Sequence, residues 1–382
     1  MKTRLFMIFF ILFICTGCAD TKEIENQAYA VGMGIDYTDD NYQVTLQFLD
    51  FSNVAKTEGK SDKPGQVWLG TGEGKTVEEA IFKIYRGIQI PINFDQISLF
   101  IFGQSLLEKG LKKTILSLDT NFSIRLTGMA YGTGESIEDI FTASVPFNYP
   151  YTNSRIVQPD YLQGEASTIP SVTLQELVYQ LNEKATTVML PSVSINKEII
   201  NKDLEKTPVT IINGSYLLKQ NQLKGFLTTD DLKGFIYVND DSIRTSVVVS
   251  DDEQDEKHVQ VDLKKPNLKK HIVKTKDNSI KLQLDITISA IIRESSYQLD
   301  MREIKRKLEE KLKTEAYNSY IKGLELDSDI YQFEEFMYRF KHHEWKKLSK
   351  SVSFPKLEKE NIHITIKPYK SIHKNNSNIN TH

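Results

Sequence analysis

An unbroken apolar run, Leu5 to Ile14, stands near the start of the chain, behind the cations Lys2 and Arg4 and just ahead of Cys15-Thr16-Gly17-Cys18. The run is too short to cross about 30 Å of hydrocarbon as a helix, but it suits the apolar core of a secretory signal. No later stretch approaches the roughly 18 apolar residues of a membrane span. The densest, Ile97 to Phe102, has the length of a buried strand. Both cysteines of the chain, Cys15 and Cys18, lie in this opening segment, so nothing downstream can form a disulfide or a thiolate metal cage. At 382 residues and 40% hydrophobic the chain can build the cores of two or three domains. A net charge of −3 gives no basic surface, so nucleic acid is not an expected partner.

Gly17-Cys18 at the end of the apolar run resembles a bacterial lipobox, although the position three before the cysteine, commonly Leu in that motif, is Cys15 here. The resemblance implies a diacylglyceryl group on the Cys18 thiol and cleavage after Gly17, with residues 1–17 as the signal peptide. Two acyl chains anchor stably where one binds only reversibly. The expectation is a water-soluble body tethered to the outer face of a membrane. There it has no ready ATP supply, which weighs against energy-dependent chemistry.

Alternating apolar residues predict a hairpin over 29–48, turning at Asp39-Asp40-Asn41. Residues 52–66 read as a loop and Val67-Trp68-Leu69 as a short strand. Thr76-Val77-Glu78-Glu79 has capping-box spacing ahead of an amphipathic stripe running to Ile88. A strand at 97–102, a helix from Ser105 toward Leu118 and a strand at 124–131 follow, then a short helix from Ser136. The proline-rich stretch 142–170 reads as loop, Thr173 to Glu176 caps another helix, and 188–195 is a strand. Strands are expected at 209–212, 215–219, 223–227, 235–238, 245–249 and 258–263, with the acidic run 251–256 as a solvated loop. A long strand over 280–292, helices from Asp300 and around Phe333, and a strand at 362–366 complete the pattern.

The fold class expected is α+β and multi-domain, with mixed or antiparallel sheets, packed helices and an N-terminal lipid anchor. The polar stretch 196–208 divides an N-terminal domain, 18–200, from a C-terminal one, 209–370, with a further split near residue 270. Residues 371–382 read as a disordered tail.

Chemical motifs are sparse. Gly70 to Thr76 imitates a phosphate-binding loop, but the position five before Gly74 is Leu69 rather than glycine. It therefore reads as a flexible turn feeding a capped helix. Gly32-Met33-Gly34-Ile35-Asp36 resembles half a dinucleotide fingerprint without its helix, so its glycines mark a bulge or a close backbone approach. The seven histidines lack metal-ligand spacing and read as surface residues. No GxSxG occurs and no cysteine nucleophile survives lipidation. No catalytic, cofactor or metal site is assigned, and a non-enzymatic body is expected.

Several segments in order resemble the Ger(x)C family, the lipoprotein C subunits of nutrient germinant receptors of endospore-forming bacteria. The segment after Cys18, Asp20 to Glu25 with Glu23-Ile24, matches the family's post-cysteine signature, and Gly32, Gly34 and Asp36 its Gly-x-Gly-Ile-Asp. Gly74 to Ala80, the strand at 97–102, Gly103 to Leu111, Gly214 with Tyr216 to Leu218, Leu223 to Gly225, Leu324 to Ile330 and Trp345 also fit. The family's usual Trp-Asp after the cysteine is Ala19-Asp20 here, and its proline before the late tryptophan is absent. The resemblance implies α+β domains without enzymatic activity, working with an A-type and a B-type membrane subunit on the outer face of the inner spore membrane. Glu23, Ile24, Gly32, Gly34 and Asp36 are the candidate structural or interaction motif, and Cys18 the lipidation site. Two other readings stand beside it: a solute-binding lipoprotein of a transporter, which needs two similar lobes, and a lipid-anchored cell-wall enzyme, which has no motif.

Overall fold

The computed structural model describes residues 27–49, 67–160, 165–251, 254–277, 279–295, 300–349 and 354–368. The signal segment, Cys18, Glu23, Ile24, the whole 52–66 loop and the 371–382 tail lie outside the described residues.

A mixed sheet organises the first part. Strands β1 (Ala28–Thr38), β2 (Asn41–Phe48), β3 (Trp68–Gly74), β4 (Leu99–Gly103), β5 (Met129–Thr133), β6 (Thr187–Asn196), β7 (Val209–Lys219) and β8 (Gln222–Thr228) lie in the order β8-β7-β6-β5-β4-β1-β2-β3. The hairpin joining β1 to β2 turns at Asp39 and Asp40, both at positive φ. Two such residues give a turn whose twist matches that of the flanking strands. β4 is buried on both faces: Phe100 and Phe102 enter one core, Leu99 and Ile101 the other. A strand sandwiched this way carries a near-continuous apolar run rather than alternation.

Helix α1 (Val77–Tyr85) starts as the spacing predicts, with the Glu79 N–H donating to Thr76 Oγ1 at 3.1 Å. The Glu79 carboxylate reaches one residue further back than a capping box requires, accepting from the Lys75 N–H at 2.8 Å. The helix ends at Tyr85, short of Ile88. The glycines of 70–74 are not a flexible turn but part of β3, beneath α1. A Cβ on Gly72 would lie 2.0 Å from the Ala80 carbonyl oxygen, so these glycines let a helix rest directly on a strand.

The helix expected from Ser105 to Leu118 is instead two, α2 (Gln104–Lys109) and α3 (Lys112–Asn121), parted at Gly110 with φ +103°. Ser105 caps neither. The short helix α4 (Ile137–Thr142) and α5 (Leu174–Asn182) begin as predicted, α5 with a reciprocal capping box between Thr173 and Glu176. The strand expected over 124–131 is confined to β5.

The second part is a four-stranded sheet in the order β9 (Arg244–Asp251), β10 (Gln254–Lys274), β11 (Ile280–Ser295), β12 (Leu357–Pro368). Of the acidic run expected as a loop, Asp251 closes β9 and Gln254 to Glu256 open β10, while residues 252 and 253 lie outside the described residues. β10 runs unbroken through residue 270, where a split was anticipated; its register only shifts between Lys264 and Asn267, around Pro266. Nor does 196–208 end the first sheet, because β7 and β8 beyond it pair with β6.

Residues 235–238 form not a strand but part of α6 (Lys233–Val238). Their apolar run suits either state, and tertiary contacts decide. The Ser319 hydroxyl accepts from the Gly234 and Phe235 N–H groups at 3.1 and 3.3 Å, satisfying donors that a helix start leaves open. Ser319 lies on α7 (Met301–Glu325), whose buried Ile304, Leu308, Leu312, Ala316 and Tyr320 recur every fourth residue. Helices α8 (Phe333–Phe340) and α9 (His342–Leu348) follow, and β12 returns parallel to β11.

Gly72→Ala is expected to lower stability by about 1–3 kcal/mol or more, because the clash is with backbone. Gly87→Ala, whose nearest neighbour would be 3.6 Å away, is expected to stay within about 0.5 kcal/mol. Urea midpoints of the two variants check this, and equal costs would contradict the packing described.

Candidate functional site

Two places are candidates, and the first gathers most of the described residues that the sequence singles out. The first is Gly32 to Asp36 on β1. Met33 and Ile35 are fully buried in the core under one face. The glycines occupy the other face. A Cβ on Gly34 would lie 2.1 Å from Ile137 Cγ2, and one on Gly32 3.0 Å from Phe141 Cε1, so α4 lies directly on the strand. The Gln47 amide holds that helix from the neighbouring strand, donating to the Phe141 carbonyl at 3.1 Å. A register shift between Ala30 and Gly32 marks a bulge there.

Asp36 ends the motif. Its Oδ1 accepts from the Tyr37 N–H at 2.8 Å and from the Leu106 N–H at 3.2 Å. Asp36 therefore caps α2 from a different strand. The approach requires Gly103, since a Cβ there would lie 2.1 Å from Asp36 Cγ. An N-cap carboxylate satisfies an orphan N–H and complements the positive end of the helix. Both roles of this carboxylate are structural.

The second place is the seam between the two sheets. Thr187, opening β6, is clamped by the turn that follows α7. Its N–H donates to Gln332 Oε1 at 3.1 Å, its carbonyl accepts from Gln332 Nε2, and its Oγ1 accepts from the Asp329 N–H at 3.1 Å. Gln332 sits at φ +58° to make this pairing. The Asp329 carboxylate caps α8, taking the Glu334 N–H at 2.9 Å and the Tyr331 N–H at 3.2 Å. Lys219 of β7 meets Glu334 at 3.1 Å, both 19% exposed. Burial pushes the Asp329 carboxyl above the ordinary carboxylate range, against the Glu334 N–H and the Lys270 ammonium, which favour its charged form.

Beside the clamp is a cleft of about 310 Å³, lined by Met189, Phe235, Asp240, Asp241, Lys270 and Gln332 among others. Burial draws the Lys270 ammonium below its usual value, opposed chiefly by Asp329 and Glu335. Among the described residues it has no ion-pair partner. Asp241 is raised by burial and then by its neighbours Asp240 and Glu176.

Of the histidines, the structure brings His271 and His363 to either side of Asp285, at 3.2 and 2.9 Å, on an exposed sheet face. Among the described residues no group of three or more His, Cys, Asp or Glu could hold a metal ion.

Gly32, Gly34 and Asp36 thus act together, and Cys18, Glu23 and Ile24 lie outside the described residues. Thr187, Gln332 and Lys270 carried no sequence signal. Asp329 stands in the Leu324 to Ile330 segment singled out by resemblance, which gave no hint of its partner Thr187.

Comparison with known proteins matches both parts. Residues 20–195 match the spore germination protein N-terminal domain, and residues 213–374 the spore germination B3/GerAC-like C-terminal domain. The chain belongs to the GerAC family of spore germination proteins. It is 22% identical to spore germination protein KC of Bacillus subtilis over 357 residues, covering 88% of this chain and 86% of that one. Spore germination protein A3 of the same organism is 35% identical over 80 residues, 21% of each chain. Spore germination protein B3, also from Bacillus subtilis, is 26% identical over 149 residues, 38% of this chain and 39% of that one. The crystal structure of the GerBC protein is similar with a TM-score of 0.49 and 17% identity, over 92% of this chain and 100% of that one.

Two measurements check these roles. Asp36→Ala is expected to cost about 1–2 kcal/mol of stability and Asp36→Asn much less, since the amide oxygen still accepts; equal losses would remove the capping role. For Asp329, a raised folded value means that the folded state prefers the protonated carboxyl. That preference is fully present below the unfolded value, about 3.9, and is lost as pH rises through the folded value. The native chain should therefore lose stability relative to Asp329→Asn as pH climbs from acid toward neutrality. Urea midpoints across that range read it, and a constant difference would contradict it.

Proposed function

We propose that this chain is the C subunit of a nutrient germinant receptor. In this reading it is lipidated at Cys18 and works with an A-type and a B-type membrane subunit at the outer face of the inner spore membrane to trigger germination. The observation that carries the reading is the match of both parts, in order, to spore germination domains. The printed names of the relatives, A3, B3 and KC, support it. So does the Gly17-Cys18 lipobox resemblance. No helix among the described residues is long and apolar enough to cross a membrane, which is compatible with attachment through Cys18.

The geometry suits an interaction subunit. Asp36 and Asp329 are each committed to capping a helix, so both motif carboxylates serve the scaffold. On this reading the body carries no chemistry of its own and acts by what it touches.

Cys18→Ala tests the reading. The variant is expected to leave the membrane fraction of spores and to slow the nutrient-triggered fall in absorbance of a spore suspension. Undiminished germination by spores whose variant is entirely soluble would overturn it.

A further inference from the structure

The end of the first sheet where the chain enters carries an exposed aromatic rim with two cations, Lys83 and Arg86, and one exposed carboxylate, Asp95. The Ala28 N–H donates to the Pro91 carbonyl at 2.9 Å, which places Ile90 and Pro91 beside the start of β1. Ala30 is in register with Phe48, and Phe48 with Trp68, so β3 starts at the same end. Helix α1 reaches it as well: Gly74 abuts the start of the helix at Glu79 and Ala80, and Gly70 abuts Ile84 near its close. Trp68 is 61% exposed, Phe82 64%, Tyr85 39% and Ile90 42%. Between them stand Lys83 and Arg86. Lys83 meets Glu79 only at 3.8 Å, and Arg86 has no ion pair among the described residues. The opposite end of the same strands exposes Asp39, Asp40, Glu73 and Glu78, with Lys75 and Lys109 as cations beside them, Lys109 lying over the Tyr37 ring at 3.0 Å.

We propose that this rim is a membrane-docking surface for an anionic phospholipid bilayer. Trp68, Phe82, Tyr85 and Ile90 enter the headgroup boundary, and Lys83 and Arg86 lie at the lipid phosphates. The proposal rests on lipidation at Cys18 and adds an orientation to it. Cys18 precedes Ala28 by ten residues. At about 3.5 Å per residue they reach at most about 35 Å. From Ala28 to Thr38, β1 makes ten rises of roughly 3.4 Å, about 34 Å in all. The opposite end reaches the lipid only with the tether drawn out to nearly its full length along the strand, so the tether favours the entry end on the lipid side. Tryptophan and tyrosine favour the membrane interface, and Lys and Arg are drawn to anionic headgroups. The rim offers both on the side that the tether selects.

The test uses the full lipidated chain in vesicles of phosphatidylcholine and phosphatidylglycerol, with and without brominated acyl chains as quencher. The chain has two tryptophans, Trp68 and Trp345, so Trp345→Phe leaves Trp68 as the reporter and Trp68→Phe leaves Trp345. Seated about 5–10 Å into the headgroup boundary, Trp68 is expected to shift to the blue and to lose roughly half its emission to bromine. Trp345 should be unaffected. Lys83→Glu with Arg86→Glu, both at the surface, is expected to abolish the Trp68 quenching while the anchored chain still floats with the vesicles. A chain that floats while Trp68 emission ignores bromine overturns the docking surface and leaves the anchor intact. Equal quenching of both tryptophans overturns it too. Shielding of Trp68 that needs added membrane partners overturns it in favour of a protein interface. A chain with native Cys18 that does not float refutes the lipidation, and the docking surface with it.

Discussion

The β7–β8 hairpin belongs to both parts of the molecule at once, and the rest of the architecture follows from that. Its backbone is bonded to β6 in the first sheet, while its side chains divide by strand alternation. Tyr216 and Leu218 fill the first core, and Leu217 and Leu227 the second. Each large side chain exposed by pulling the parts apart would cost about 1.5–3 kcal/mol. The Thr187 clamp would be lost in the same motion. The two sheets therefore meet through a shared hairpin and a bonded seam.

Two buried carboxylates, one inside the second sheet and one at the joint, are made tolerable in different ways. Asp262, 1% exposed, is met by the guanidinium groups of Arg244 at 2.8 Å and Arg293 at 2.6 Å, charge against charge on adjacent strands. Asp329 has no ion pair among the described residues and is held by peptide N–H groups instead. The first arrangement compensates an ion. The second serves a backbone that would otherwise leave helix donors unsatisfied at the seam. Gln332 completes it by presenting its amide to Thr187 as a neighbouring strand would.

Much of this was legible wherever one local rule governs. Asp39-Asp40 gave the first hairpin, Thr76 and Thr173 their helix starts, and alternation from Ile280 to Ile292 the core strand of the second sheet. Sequence reading failed where a distant group decides. Phe235 to Val238 is apolar enough for a strand, yet Ser319 on another element makes it helical. Ser105 has the spacing of a cap, but the capping carboxylate comes from Asp36 on a strand that Gly103 allows to approach. The glycines of 70–74 look like a flexible turn because nothing in their spacing says that the helix following them folds back onto them. Gly32, Gly34 and Asp36 were found as a group, and their partners Ile137, Phe141 and Leu106 were not.

The first sheet also limits how any signal could travel. The proposed docking rim lies at the β3 edge and the second sheet is joined at the β8 edge, seven strand spacings or about 34 Å away at roughly 4.8 Å each. Between them β4 is packed on both faces, and such interiors transmit displacement rather than absorb it. If the chain is anchored as proposed, a push on the second part would then reach the membrane side as a tilt of the body on its tether. On the proposed function a partner could read that tilt without any change in the fold.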